Sequence, residues 1–162
     1  MKVFLSFVAL LASFTANAES IYRSMTNPWT TYVFVSTDVP ESTLIALARQ
    51  AAVVHAVMVL RGFAAGQTDW KQNQKWIGQI NDACCAGKPP VWQIYPQLFD
   101  QYHIKAVPAI AIAKAGGSLP QDYAVVTGDI GFGEALKIFA QRSKYIDIRN
   151  RAIALYGTFQ GQ

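Results

Sequence analysis

Two short segments, residues 31–36 (TYVFVS) and Val57–Leu60 (VMVL), are apolar at nearly every position instead of every second one. A strand with one wet face alternates. A run without alternation suits a strand covered on both faces. Between the two runs Leu44, Leu47, Ala48 and Ala51 recur at helical spacing, so a helix is expected to about Val54. Pro40 in its first turn, with Asp38 and Glu41 near the positive end of the dipole, marks where it starts. Strand, helix and strand in that order imply a crossover over residues 40–54, since parallel neighbours cannot be joined by a tight hairpin. The chain is therefore expected to be α/β, with helices packed on a central sheet.

The rest of the sequence extends that plan. Residues 62–67 are small and loop-like. Thr68 is placed to cap a helix over 69–83, where Ile77, Ile80 and Cys84 share a face. Gly87-Lys88-Pro89-Pro90 ends it, and Val91–Ile94 reads as a short strand limited by Pro96. A short helix over 96–102 turns Leu98, Phe99 and Tyr102 inward. Residues 103–107 lead to Pro108 and a strand over 109–113. Gly116-Gly117 forms a turn, and Tyr123–Thr127 returns antiparallel. A helix over 131–143 buries Leu136, Phe139 and Ala140. A terminal helix over 145–156 aligns Ile148, Ala152 and Leu155, leaving 157–162 as a loose end.

The N-terminus reads as an export leader. Met1-Lys2 gives a positive start, residues 3–15 are apolar, and Ala16-Asn17-Ala18 fits a signal-peptidase site. That run is shorter than the roughly 20 residues a membrane span needs. Cleavage after Ala18 leaves residues 19–162 as one domain with a helical tail from about 144, and no membrane span is expected afterwards. The net charge of +4 comes without a block of consecutive Lys or Arg, so nucleic-acid binding gets no support. Export to an oxidising compartment allows disulfides. The two cysteines, Cys84 and Cys85, are adjacent. They can close a small strained ring or reach outside the chain, but cannot staple distant segments together.

Few residues carry chemistry. His55 and His103 are the only histidines, and their spacing suits the polar ends of packed segments better than a metal site. Ser36, His103 and Asp38 can be written as a triad, yet no nucleophile elbow supports it. No cofactor or metal is expected. Cys84 lies on an apolar helix face, which suits a buried thiol, while Cys85 points elsewhere. Arg61 ends a strand at the carboxyl edge of the sheet, where α/β folds often bind ligands; a plain solvated arginine fits equally. Trp70, Trp76 and Trp92 cluster around the inserted helix, either as core or as a partner surface.

The stretch Tyr102-His103-Ile104-Lys105-Ala106-Val107-Pro108-Ala109, then an apolar strand and Gly116-Gly117, resembles the thioredoxin superfamily. The resemblance implies a thioredoxin-like sandwich with a helical insertion at about 66–90, and a cis Val107-Pro108 bond opening the terminal hairpin. Redox members carry Cys-x-x-Cys where this chain has Ser36-Thr37-Asp38-Val39-Pro40. Hydroxyls and carboxylates cannot perform thiol–disulfide exchange. A closer resemblance is carried by Tyr32-Val33-Phe34-Val35-Ser36, Pro40-Glu41-Ser42, the VMVLRG run from Val57, Gln93-Ile94-Tyr95-Pro96-Gln97-Leu98-Phe99 and Ala106-Val107-Pro108-Ala109. In that order they resemble the TrbC family, pilin-assembly proteins of type-F conjugative transfer systems. The resemblance implies a periplasmic, non-enzymatic assembly factor for the conjugative pilus of a type IV secretion system. Its partners would be other periplasmic transfer or pilus-assembly proteins. The docking residues expected are Ser36, Thr37, Asp38, Pro40, Arg61, Val107 and Pro108. The alternative is a thiol–disulfide oxidoreductase or isomerase-like protein working through Cys84-Cys85.

Overall fold

A computed structural model describes residues 28–63, 69–85 and 87–161. The leader, its cleavage point and Thr68 lie outside the described residues. The chain runs β1 (Trp29–Val35), α1 (Glu41–Val53), β2 (Val57–Leu60), α2 (Trp70–Cys84), β3 (Val91–Ile94) and α3 (Pro96–Gln101). It continues through β4 (Ala109–Lys114), β5 (Tyr123–Thr127), α4 (Phe132–Arg142) and α5 (Ile146–Gln160). The five strands form one mixed sheet in the order β3-β2-β1-β4-β5. β1, β2 and β3 are parallel, and β4 and β5 are antiparallel. This is an α/β fold of thioredoxin-like sandwich order, with α2 in the insertion.

The strand residues explain the layers. Val33, Val35, Met58, Leu60, Ile110 and Ile112 face one way, into a core closed by α1, α4, α5 and Ile80 of α2. Phe34, Val59, Ala109, Ala111 and Ala113 face the other way, towards Leu98, Phe99 and Tyr102 around α3. The alternation of Ile and Ala along β4 thus follows its two neighbours. Isoleucines fill the larger core, and alanines leave room for the aromatic cluster of Phe34, Phe99 and Tyr102. In α1 the apolar stripe Leu44, Leu47, Ala48 and Ala51 is fully inward. Burying each leucine there is worth roughly 1.5–3 kcal/mol.

Several boundaries differ from the sequence reading. β1 starts at Trp29, two residues early, because Trp29 and Thr30 still pair with Lys114 and Ala113. Asp69 caps α2 by accepting a hydrogen bond from the Gln72 N–H at 2.9 Å. Residues 157–160 are not loose: α5 continues through Gln160, and Phe159 stacks on Phe132 with ring centroids 6.4 Å apart. A Cβ at Gly133 would sit 3.1 Å from the Phe159 ring, so the glycine in α4 permits that approach. In the β4–β5 connection Gly116 takes a φ of +72°, the left-handed region that other residues avoid.

Candidate functional site

Two loops meet at the carboxyl ends of β1 and β2. The first, leaving β1, is held by its own side chains. The Ser36 carbonyl accepts from the Val39 N–H at 3.3 Å, and Ser36 Oγ accepts from the Asp38 N–H at 3.3 Å. Pro40 follows as the residue before α1, and its carbonyl accepts from the Leu44 N–H at 3.0 Å. The second loop runs from Ile104 to Pro108, and Val107-Pro108 is cis. Among the described residues, no backbone hydrogen bond engages the N–H or C=O of Ala106 or Val107. Pro108 gives its carbonyl to the Gly128 N–H at 3.0 Å, which tethers the end of β5 beside it.

Open clefts lie along this junction. One, of about 260 Å³, is lined by Ser36, Asp38, Val39, Pro40, Val107 and Pro108, with Thr43 and Asp129 completing it. A second, of about 250 Å³, shares Ser36, Asp38 and Val107 and adds Arg61 and Lys105. A third, of about 200 Å³, continues from Thr43 and Asp129 along Leu47 and Gln50 of α1. Gln50 fixes that end: its Oε1 accepts from the Phe132 N–H at 2.6 Å, tying α1 to the start of α4. The structure thus brings together six of the seven residues anticipated. Thr37 sits in the turn between Ser36 and Asp38 and lines none of these clefts.

Arg61 turns out to be neither a plain solvated side chain nor a loose one. Its guanidinium donates to the Ile104 carbonyl at 3.1 Å and lies 4.7 Å from the Phe99 ring centroid. Those contacts use one of its five N–H donors and fix the orientation of the others. Thr43, Lys105 and Asp129 were not anticipated. Asp129 had a signal, because the hairpin register sets Thr127 opposite Ala109, and so the residues after Thr127 lie beside Pro108. Lys105 stood inside the motif itself, and Thr43 lies within the first turn of α1.

The remaining candidates resolve into structure. His55 and His103 have φ values of 53° and 54°, and each ends a helix in the left-handed conformation. The Ala56 N–H reaches back to Ala51 at 2.9 Å, and the Ile104 N–H to Phe99 at 2.7 Å, the hydrogen bonds that close such ends. His103 lines neither cleft beside Ser36. Among the described residues, no group of three or more His, Cys, Asp or Glu is placed to hold a metal ion. Trp76 packs edge-on against Trp92, whose Nε1 donates to Asn81 at 2.9 Å. Trp70 is exposed beside Phe63. Cys84 is not a free thiol: it is bonded to Cys85 at the end of α2, both half-buried, with Arg49 donating to the Cys84 carbonyl at 3.2 Å. Adjacency leaves each cysteine only its neighbour within the chain. No described helix is long and apolar enough to cross a membrane.

Comparison with known proteins gives one match. Residues 33–139 match the family model described as type-F conjugative transfer system pilin assembly protein. No curated protein and no solved structure matches the chain.

Proposed function

The chain belongs to the type-F conjugative transfer system pilin assembly family, and from that membership we propose that it acts in the periplasm by docking other transfer or pilus-assembly proteins without covalent chemistry. The docking surface is the junction of the Ser36–Pro40 turn with the Lys105–Pro108 loop. It uses Ser36, Thr37, Asp38, Pro40, Arg61, Val107 and Pro108. The observation that carries this reading is the pair of unengaged backbone residues, Ala106 and Val107, facing open clefts. Free backbone N–H and C=O groups beside a strand start can pair with an extended segment, while neighbouring pockets take its side chains.

The residue types in the turn argue against disulfide exchange at this place, because it offers hydroxyls and carboxylates but no thiol. A second reading, exchange through Cys84–Cys85, is favoured only by the bond itself. Neither cysteine lines the clefts described above.

Thr43→Arg places a long side chain where the first and third clefts meet. In cells carrying the transfer system it is expected to lower conjugation at least tenfold, with the circular dichroism of the purified protein unchanged. Normal transfer by a folded Thr43→Arg protein would contradict docking at this junction. In the same cells, the periplasmic protein should begin at Glu19. A full-length chain retained in membranes would contradict export.

A further inference from the structure

The three clefts adjoin along one groove wall, the first sharing Ser36, Asp38 and Val107 with the second, and Thr43 and Asp129 with the third. Charge is distributed unevenly along it. Arg61 and Lys105 line the second cleft, and Asp129 stands on the other side of the first, where it meets the third. Asp38 lies between, and its carboxylate is near Ser36 Oγ at 3.5 Å. Lys105 and Asp129 are exposed, and neither makes an ion pair or side-chain hydrogen bond among the described residues. Between them the first cleft sets the apolar side chains of Val39, Pro40, Val107 and Pro108 beside the carboxylates of Asp38 and Asp129.

Accepting the docking reading above, we infer that the groove takes an extended segment of a partner protein with a short apolar stretch between an acidic and a basic side chain. The acidic group lies at the Arg61–Lys105 end and the basic group at the Asp129 end. Arg61 is the more selective element, since Phe99 and Ile104 already hold its planar fork in place for a carboxylate. Charge complementarity of this kind fixes register and rejects uniformly charged segments more than it adds affinity.

The test uses fluorescein-labelled peptides and the protein as purified from its cells, read by fluorescence anisotropy. The probes share an apolar, β-branched spacer of varied length. They carry an acid and a base at the two ends in either order, two acids, two bases or no charge. One order of the bipolar peptide should bind roughly five- to tenfold tighter than the uncharged one at low salt, and the advantage should shrink as salt screens it. Lys105→Glu combined with Asp129→Lys, with Arg61 left in place, should erase the preference between the two orders. If all peptides bind alike, or a uniformly charged one equals the bipolar one, the charge inference falls and docking stands. If none binds, the docking reading itself falls, and this inference with it.

Discussion

At the scale of single residues, burial decides more than chemical type. Tyr102 shows this. It is 3% exposed, packed against Tyr32 and Tyr123 with centroids 5.7 and 5.0 Å away. Its pKa is pushed up to about 12, first by burial and then by the charge of and hydrogen bond with Tyr32. The neutral phenol is thus favoured in the folded state. Below pH 10 folded and unfolded chains both hold the proton, so this stabilisation is fully present. As pH rises from 10 to about 12 the unfolded chain ionises first and stability falls, by at most roughly 3 kcal/mol. Urea unfolding at pH 9 and 11.5, with Tyr102→Phe as control, checks it. The wild type should lose more stability than the variant over that range. His55 and His103 make the complementary point: the sequence located the helix ends they occupy, but nothing local announced a left-handed histidine at each. That conformation is set by the carbonyls at the helix ends, which need donors from the residue that follows.

At the scale of elements, apolar periodicity made most of the fold legible. The inward faces of α1, α3 and α5 are those the spacing indicated, and the unbroken strands are buried on both faces. The failures have physical causes. Residues 157–162 read as a loose end because chain termini are poorly ordered unless something ties them down. Phe159 packing on Phe132 supplies that tie, and no local window contains both residues. The insertion helix α2 carries the disulfide, and this gives a prediction. Ile80 is buried, and Trp76 and Ile77 pack against the same core beside Cys84, so sulfur supplies only a small part of the docking of α2. Cys84→Ser with Cys85→Ser should keep both fold and conjugation frequency within about threefold of wild type, small beside the effect of core loss. Transfer lost with the fold intact would favour the thiol reading instead.

At the scale of the whole molecule, the candidate site exists because two distant loops converge on one end of the sheet. The sequence indicated each loop separately: the turn after β1 from Pro40 and its acids, and the second loop from its resemblance to a proline-opened strand. What it left hidden was the wall supplied by other elements. Asp129 arrives through the β4–β5 register, and Gln50 ties α1 to α4 across 82 residues of chain. Arg61 was legible as an edge residue, but its fixation by Phe99 and Ile104 depends on α3 folding over the sheet. The family match, residues 33–139, spans both loops and the wall at Asp129, so the groove lies wholly within the matched region.

The most direct measurement places a photo-crosslinking amino acid at Lys105 in cells assembling pili, with Gln141 on α4 as the comparison position. Both are exposed, and Lys105 alone lines the groove. Docking predicts adducts with transfer-system proteins from Lys105, lost in the Thr43→Arg background, and few or none from Gln141. Equal adducts from both positions, or none from Lys105 while conjugation proceeds normally, would contradict it.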